Sequence, residues 1–276
     1  MDIKKGKQID APFKLLVTGP NGIGKSTFAA DSPAPIFCPT EPGLDEIDCH
    51  RTPRPKTWGE FVAICDWLIR EPHDYKTFVI DSVDWLAPLI DAQTCIDQNW
   101  TTIEQPFGKG PLMSLSYWRS MIALLDEMRD RRGMNILLIG HVEARRYNDP
   151  TTEGGYDRWQ LKLPGKAGAL LQEWAGAVFY CEFATILARG KRTDTGERVV
   201  HTTRSAQWDA KNRYGLPPTM PLSFEAFDEA RRDDRTAELD GLLATKSEAD
   251  QVKVRTWIAS QADKKLATAR AIERLK

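Results

Sequence analysis

Nine consecutive residues, Gly19, Pro20, Asn21, Gly22, Ile23, Gly24, Lys25, Ser26 and Thr27, have the types and order needed to hold a run of phosphates. They fit G-x-x-x-x-G-K-[ST], with the apolar run FKLLV before them and a helical pattern after them. The glycines let the backbone turn so that successive N–H groups face phosphate oxygens. The helix expected to open near Lys25 adds its positive end. Lys25 is expected to reach the β- and γ-phosphates, Ser26 to place its hydroxyl on Mg²⁺, and Thr27 to lie near the α-phosphate. ATP and Mg²⁺ are therefore the expected ligand and cofactor.

Such a loop needs a second group on the metal side. TFVIDS, residues 77–82, ends an apolar run in Asp81, whose carboxylate can hold Mg²⁺ through water. Hydrolysis further needs a carboxylate to orient water. Ser82 follows Asp81, so an adjacent glutamate is absent, and the candidate is Glu41 at the end of PIFCPTE. His141 ends NILLIGH, where a polar side chain can contact the γ-phosphate and pass the change to the loop that follows. A solvated turn glutamate before Pro42-Gly43 and a capped surface histidine are the plainer readings of Glu41 and His141.

Strands and helices must position these groups. FKLLVTG (13–19), PIFCPTE (35–41), TFVIDS (77–82), NILLIGH (135–141) and AVFYCEF (177–183) read as short buried strands. Phe61, Ile64, Cys65 and Leu68 form one helical stripe, and Trp118, Met121, Leu125 and Met128 another. This alternation implies a mostly parallel sheet with helices on both faces and ligands at the carboxyl ends of the strands. TILARG (185–190) and RVVHTTR (198–204) flank Asp194-Thr195-Gly196, which reads as the turn of an antiparallel hairpin. From about Arg231 the chain is charged and helical. Ser247 and Asp250 mark a helix start, and Val254, Ile258, Ala262, Leu266, Ala269 and Ile272 follow at helical spacing. The expected division is a core over 1–230 and a helical C-terminal extension over 231–276. Two long segments rich in glycine, proline and polar residues, 99–116 and 142–166, read as loops of a length usual for functional or disordered segments.

With 276 residues the chain can bury a large core, and a net charge of -1 excludes bulk basicity as the basis of nucleic-acid binding. Its five scattered cysteines form no C-x-x-C pair and read as reduced thiols. MDIKKGKQID lacks an apolar leader core, and no run approaches the ~18 apolar residues of a membrane span. The expected location is the cytosol.

The order GPNGIGKST, PTEPG, FVIDS, FGKG, ILLIGH and then a basic loop resembles phage-encoded RecA-like ATPases, in particular the single-strand-annealing ATPases of phage recombination modules. The resemblance covers about Phe13 to Glu229. It implies an α/β RecA-like P-loop core with a late β-hairpin, acting in the cytosol of the host cell. It also implies Glu41 as catalytic base and His141 as the residue that couples nucleotide to a DNA-binding loop, although RecA has glutamine there. A K-x-K pair that reaches a neighbouring subunit's ATP falls on Lys211 and Arg213 in DAKNRYG. A homo-oligomer, ring or filament, is implied with it.

Segment 142–166 carries Arg145, Arg146, Arg158, Lys162 and Lys166 among Glu143, Asp149, Glu153 and Asp157. Its surplus of positive charge is small, but many copies in a filament would add up. Tyr147, Tyr156 and Trp159 can stack unpaired bases. The expected single-stranded-DNA contacts are Arg145, Arg146, Trp159, Lys162 and Lys166, with Lys109 in the other long segment. Three functions compete: an ATPase acting on single-stranded DNA, a nucleoside or nucleotide kinase with Arg145-Arg146 in its lid, and a nucleotide-gated module that recruits a partner such as a single-strand-binding protein.

Overall fold

The computed structural model describes residues 11–105, 107–148, 154–188, 191–232, 239, 241–261 and 264–275. The N-terminal ten residues, Asp149, Glu153 and Ala262, which entered the sequence reading, lie outside them. The first strand, β1 (Lys14–Gly19), runs into the phosphate loop and the short helix α1 (Lys25–Ala30). Next come β2 (Pro35–Pro39), the two-residue edge strand β3 (His50–Arg51), α2 (Trp58–Arg70), β4 (Thr77–Asp81) and α3 (Val83–Gln98). The chain continues through α4 (Gly110–Met113), α5 (Leu115–Arg132), β5 (Asn135–Tyr147), β6 (Tyr156–Leu161), α6 (Gly165–Trp174) and β7 (Ala177–Ala188). It then forms β8 (Lys191–His201), β9 (Lys211–Asn212), β10 (Thr219–Pro221) and α7 (Phe224–Arg232).

The sheet order is β10-β8-β7-β1-β5-β4-β2-β3, with β1 between β5 and β7 and parallel to both. Its central strands are apolar at nearly every position because both faces are covered. Leu16, Phe78, Ile80, Ile136 and Leu138 point into one core with Phe61, Cys65 and Leu68 of α2 and Trp118, Met121, Leu125 and Met128 of α5. Leu15, Val17, Phe37, Val79, Leu137 and Ile139 point into the other. There Phe13 stands 5.4 Å from Phe227 and Phe28 stands 5.6 Å from Phe224, ring centre to ring centre, so α1 and α7 are fixed to the sheet by aromatic packing. The fold is the expected α/β P-loop core with helices on both faces and a late antiparallel hairpin, β7–β8.

Three loop expectations change. Residues 142–166 are not one long loop. Strand β5 runs on to Tyr147 and turns back as β6, pairing Val142 with Leu161 through Tyr147 with Tyr156. The segment 99–116 ends in α4 and the start of α5. Asp194-Thr195-Gly196 is not the turn of β7–β8 but lies within β8, where the register shifts opposite Phe183 and Thr185 and Gly196 has φ 82°. A turn-forming triplet serves equally well as a bulge when the strands pair beyond it. Toward the C-terminus, helices Glu248–Ala259 and Lys264–Leu275 flank a small core of Leu239, Leu243, Ala271 and Ile272, with the Ser247 hydroxyl capping the first by accepting from the Asp250 N–H. No helix among the described residues is long and apolar enough to cross a membrane.

Candidate nucleotide site

Strand register brings the candidate side chains together. Gly19 is paired with His141 across β1 and β5. Asp81 is paired with Ile139, two residues before His141, and Pro39 is paired with Asp81, two residues before Glu41. Glu41, Asp81 and His141 therefore emerge at the carboxyl end of the sheet beside the phosphate loop. Gly19 is required by close approach, since a Cβ there would stand 2.6 Å from the Cys181 carbonyl oxygen.

The loop, Asp81, Glu41 and His141 line a cleft of about 450 Å³. Ser26 donates to Asp81 through its hydroxyl at 2.6 Å, so the two expected metal-side groups are in contact. Lys25 is buried, and its ammonium donates to the carbonyls of Gly19 (3.0 Å) and Pro20 (2.9 Å). Burial lowers the Lys25 pKa, a cost that an incoming phosphate would offset. Burial also raises the Asp81 carboxyl above its ordinary range, against the opposing hydrogen bond from Ser26. A hydroxyl and one carboxylate suit Mg²⁺, which keeps several waters and takes further ligands from substrate phosphates.

In the same cleft, Glu41 Oε1 lies 3.8 Å from His141 Nε2. The end of β2 is held by the Thr40 hydroxyl, which donates to the Ser82 carbonyl at 2.6 Å, and by Thr40 N–H to the Asp81 carbonyl at 2.8 Å. Burial raises the Glu41 pKa, which moves this carboxylate toward the range useful to a base. Behind His141 stands a residue not singled out in the sequence, Asp84, in the first turn of α3. It accepts from His141 Nδ1 at 2.9 Å and from the His141 backbone N–H at 3.0 Å. Burial pushes the Asp84 carboxyl up, but its bonds from His141 and Ser82 outweigh that, and its pKa lies below the ordinary value. With Nδ1 bound to Asp84, Nε2 is turned toward Glu41 and the cleft. An acidic residue two positions past Ser82, the residue that precedes α3, was the available signal for Asp84, but an aspartate at a helix start is commonplace.

Residues 11–214 match the model of a family described as an AAA domain. The chain belongs to this family. No curated protein matches it. Among solved structures, a RadB recombinase is similar, with 13% identity and a TM-score of 0.41, over 69% of this chain and 80% of that one. The matched span of this AAA domain includes every residue of the cleft.

The remaining candidates divide. On the β5–β6 hairpin, Arg146 and Trp159 occupy one face, and Arg145 belongs to the other, paired with Arg158. Arg146 lies 3.7 Å from Asp157, and Trp159 is 41% exposed. Arg145 is held by Glu143 and donates to the Leu163 carbonyl at 3.0 Å. Arg158, counted among the basic residues of this segment, is buried and donates to Asp209 at 2.6 Å and to the Trp208 carbonyl at 2.8 Å. Lys109, Lys162 and Lys166 are exposed, and Lys162 N–H donates to the His141 carbonyl at 2.8 Å, which joins the hairpin base to the nucleotide wall. Lys211 donates through its ammonium to the carbonyls of Gln172, Glu173 and Ala175 at 2.6–2.8 Å, capping the C-terminus of α6. Arg213 beside it is exposed.

Proposed function

We propose that this AAA domain hydrolyses ATP with Mg²⁺ and uses the cycle to control its grip on single-stranded DNA in a recombination-type process, as a ring or filament of identical chains. The observation that carries the reading is the Ser26–Asp81 contact of 2.6 Å in a cleft that also holds Glu41 and His141, 3.8 Å apart. Mg²⁺, held by Ser26 and Asp81, would neutralise phosphate charge. Lys25 leaves the loop carbonyls for the β- and γ-phosphates. Glu41 orients a water and accepts its proton as the water oxygen bonds to the γ-phosphorus and the bond to the β-bridging oxygen breaks, giving ADP and inorganic phosphate. His141, held by Asp84, contacts the γ-phosphate through Nε2. Loss of that phosphate is passed through the His141 carbonyl to Lys162 and the hairpin, where Arg146, Trp159, Lys162 and Lys166 face DNA, with Lys109 and Arg145 at the margin.

The test is ATP turnover with and without single-stranded DNA, alongside nucleosides and their monophosphates as phosphate acceptors. DNA-stimulated release of phosphate, lost in Lys25→Ala and reduced roughly 10²-fold in Glu41→Gln, is the expected result. Phosphate transfer to a nucleoside would establish a kinase instead.

A further inference from the structure

Arg198 projects from β8 into the nucleotide cleft, from the side opposite Glu41, Asp81 and His141. His141 within β5, Asp81 at the end of β4 and Glu41 just past β2 all lie on the β5 side of β1, whereas β8 lies beyond β7 on the other side. The phosphate loop, which follows β1, is thus flanked by carboxylates and histidine on one hand and a guanidinium on the other.

The approach is close. A Cβ at Gly24 would stand 2.9 Å from Arg198 Nη1 and 3.7 Å from its Cδ and Cζ, so the guanidinium rests against the bare backbone of Gly24. That backbone, at φ 105°, is the turn that delivers loop N–H groups to a phosphate. A phosphate held there is within reach of the five donors of an arginine. The position is fixed by the sheet: Arg198 pairs with Phe183 of β7, and its carbonyl accepts from Leu222 N–H at 3.0 Å. The side chain is exposed, and among the described residues no carboxylate forms an ion pair with it. A cation left without a partner at the rim of a phosphate site is placed for an anionic ligand.

We infer that Arg198 is a nucleotide-binding residue supplied by the chain's own β8, donating to the phosphate oxygens that ATP and ADP share. The inference rests on the P-loop reading of the cleft. It assigns the phosphate end away from Glu41 and His141, because the guanidinium lies across β1 from them. It also gives the β7–β8 hairpin a direct contact with bound nucleotide, independent of His141.

Calorimetric titration of Mg²⁺-ATP, Mg²⁺-ADP and Mg²⁺-GTP into the wild-type chain, Arg198→Ala, Arg198→Lys and Arg204→Ala tests it. Arg204 is an exposed arginine outside the cleft and controls for net charge. Arg198→Ala is expected to weaken all three nucleotides by about tenfold or more, the scale of a charge-assisted hydrogen bond. Arg198→Lys recovers part of the loss, and Arg204→Ala changes affinity less than twofold. Unfolding midpoints measured without nucleotide should agree across the set. Wild-type affinity in Arg198→Ala overturns the inference and leaves the P-loop reading standing. So does a loss confined to ATP and GTP, which would mark a γ-phosphate contact, or a loss that differs between ATP and GTP, which would mark a base contact. A wild-type chain that binds none of the three overturns the P-loop reading and this inference with it.

Discussion

Asp81, proposed above to hold Mg²⁺, works against the fold that carries it. Its carboxylate is 3% exposed, and burial raises its pKa above the unfolded value. A raised acid pKa means that the folded state holds the proton more tightly, so stability falls as pH rises from the unfolded pKa of about 3.9 through the folded one. At neutral pH the ionised group therefore costs stability despite the nearby Lys25 ammonium, unless a further cation is bound. Asp81→Asn keeps an oxygen to accept from Ser26 and removes the charge. Without ligand, its unfolding midpoint at pH 7 is expected to rise by about 2–4 °C, the response of a chain of this size to roughly 1 kcal/mol, and the gain should vanish at pH 3. Turnover with Mg²⁺-ATP should be lost in the same variant. A lower midpoint at pH 7 would mean that Asp81 is paired in the free protein by more than Ser26.

At the scale of elements, the β5–β6 hairpin separates what lay side by side in the sequence. Arg145 and Arg146 are neighbours, but strand alternation sends them to opposite faces, and only Arg146 shares its face with Trp159. A basic segment rich in glycine and tyrosine could not show this, because the pairing partner that makes it a strand lies beyond its own turn. Arg158 counts in the positive charge of this segment, yet it is buried on Asp209 and the Trp208 carbonyl and ties the hairpin to the segment after β8. Arg158→Ala is expected to cost about 2–4 kcal/mol, since Asp209 loses a partner in a largely buried pair, whereas Arg146→Ala should stay within about 0.5 kcal/mol. Denaturant unfolding separates the two, and DNA titration should reverse the ranking for properly folded protein, with Arg146→Ala the weaker binder. Equal stability of the two variants would return Arg158 to the surface. The elements with continuous local signals were legible: five buried strands, the stripes of α2 and α5, the phosphate loop and the acids that end β2 and β4. Asp84 and Arg198 were not, because each is brought to the site only through strands and helices that meet across the sheet.

At the scale of the whole molecule, the sheet sets a direction that bears on Lys211 and Arg213. Strand β9 pairs with Ala177 and Val178, at the start of β7, and β7 runs parallel to β1. The phosphate loop follows the far end of β1, about 16 Å of strand away. Arg213 is thus at the end of the sheet opposite its own nucleotide, and any contact with ATP must be with that of another copy. The pair does not act as a unit, because Lys211 is taken up by the α6 carbonyls and Arg213 is exposed. Lys211→Ala should therefore lower stability by leaving three carbonyls uncapped, and Arg213→Ala is the cleaner probe of the interface. Chains carrying Lys25→Ala and chains carrying Arg213→Ala should each be inactive alone. Mixed in equal amounts and allowed to exchange, about a quarter of the head-to-tail interfaces would join an intact Lys25 to an intact Arg213, and ATP turnover should recover toward that fraction. Full turnover by Arg213→Ala alone, or a mixture as inactive as its parts although both chains assemble, would show that each subunit completes its own site.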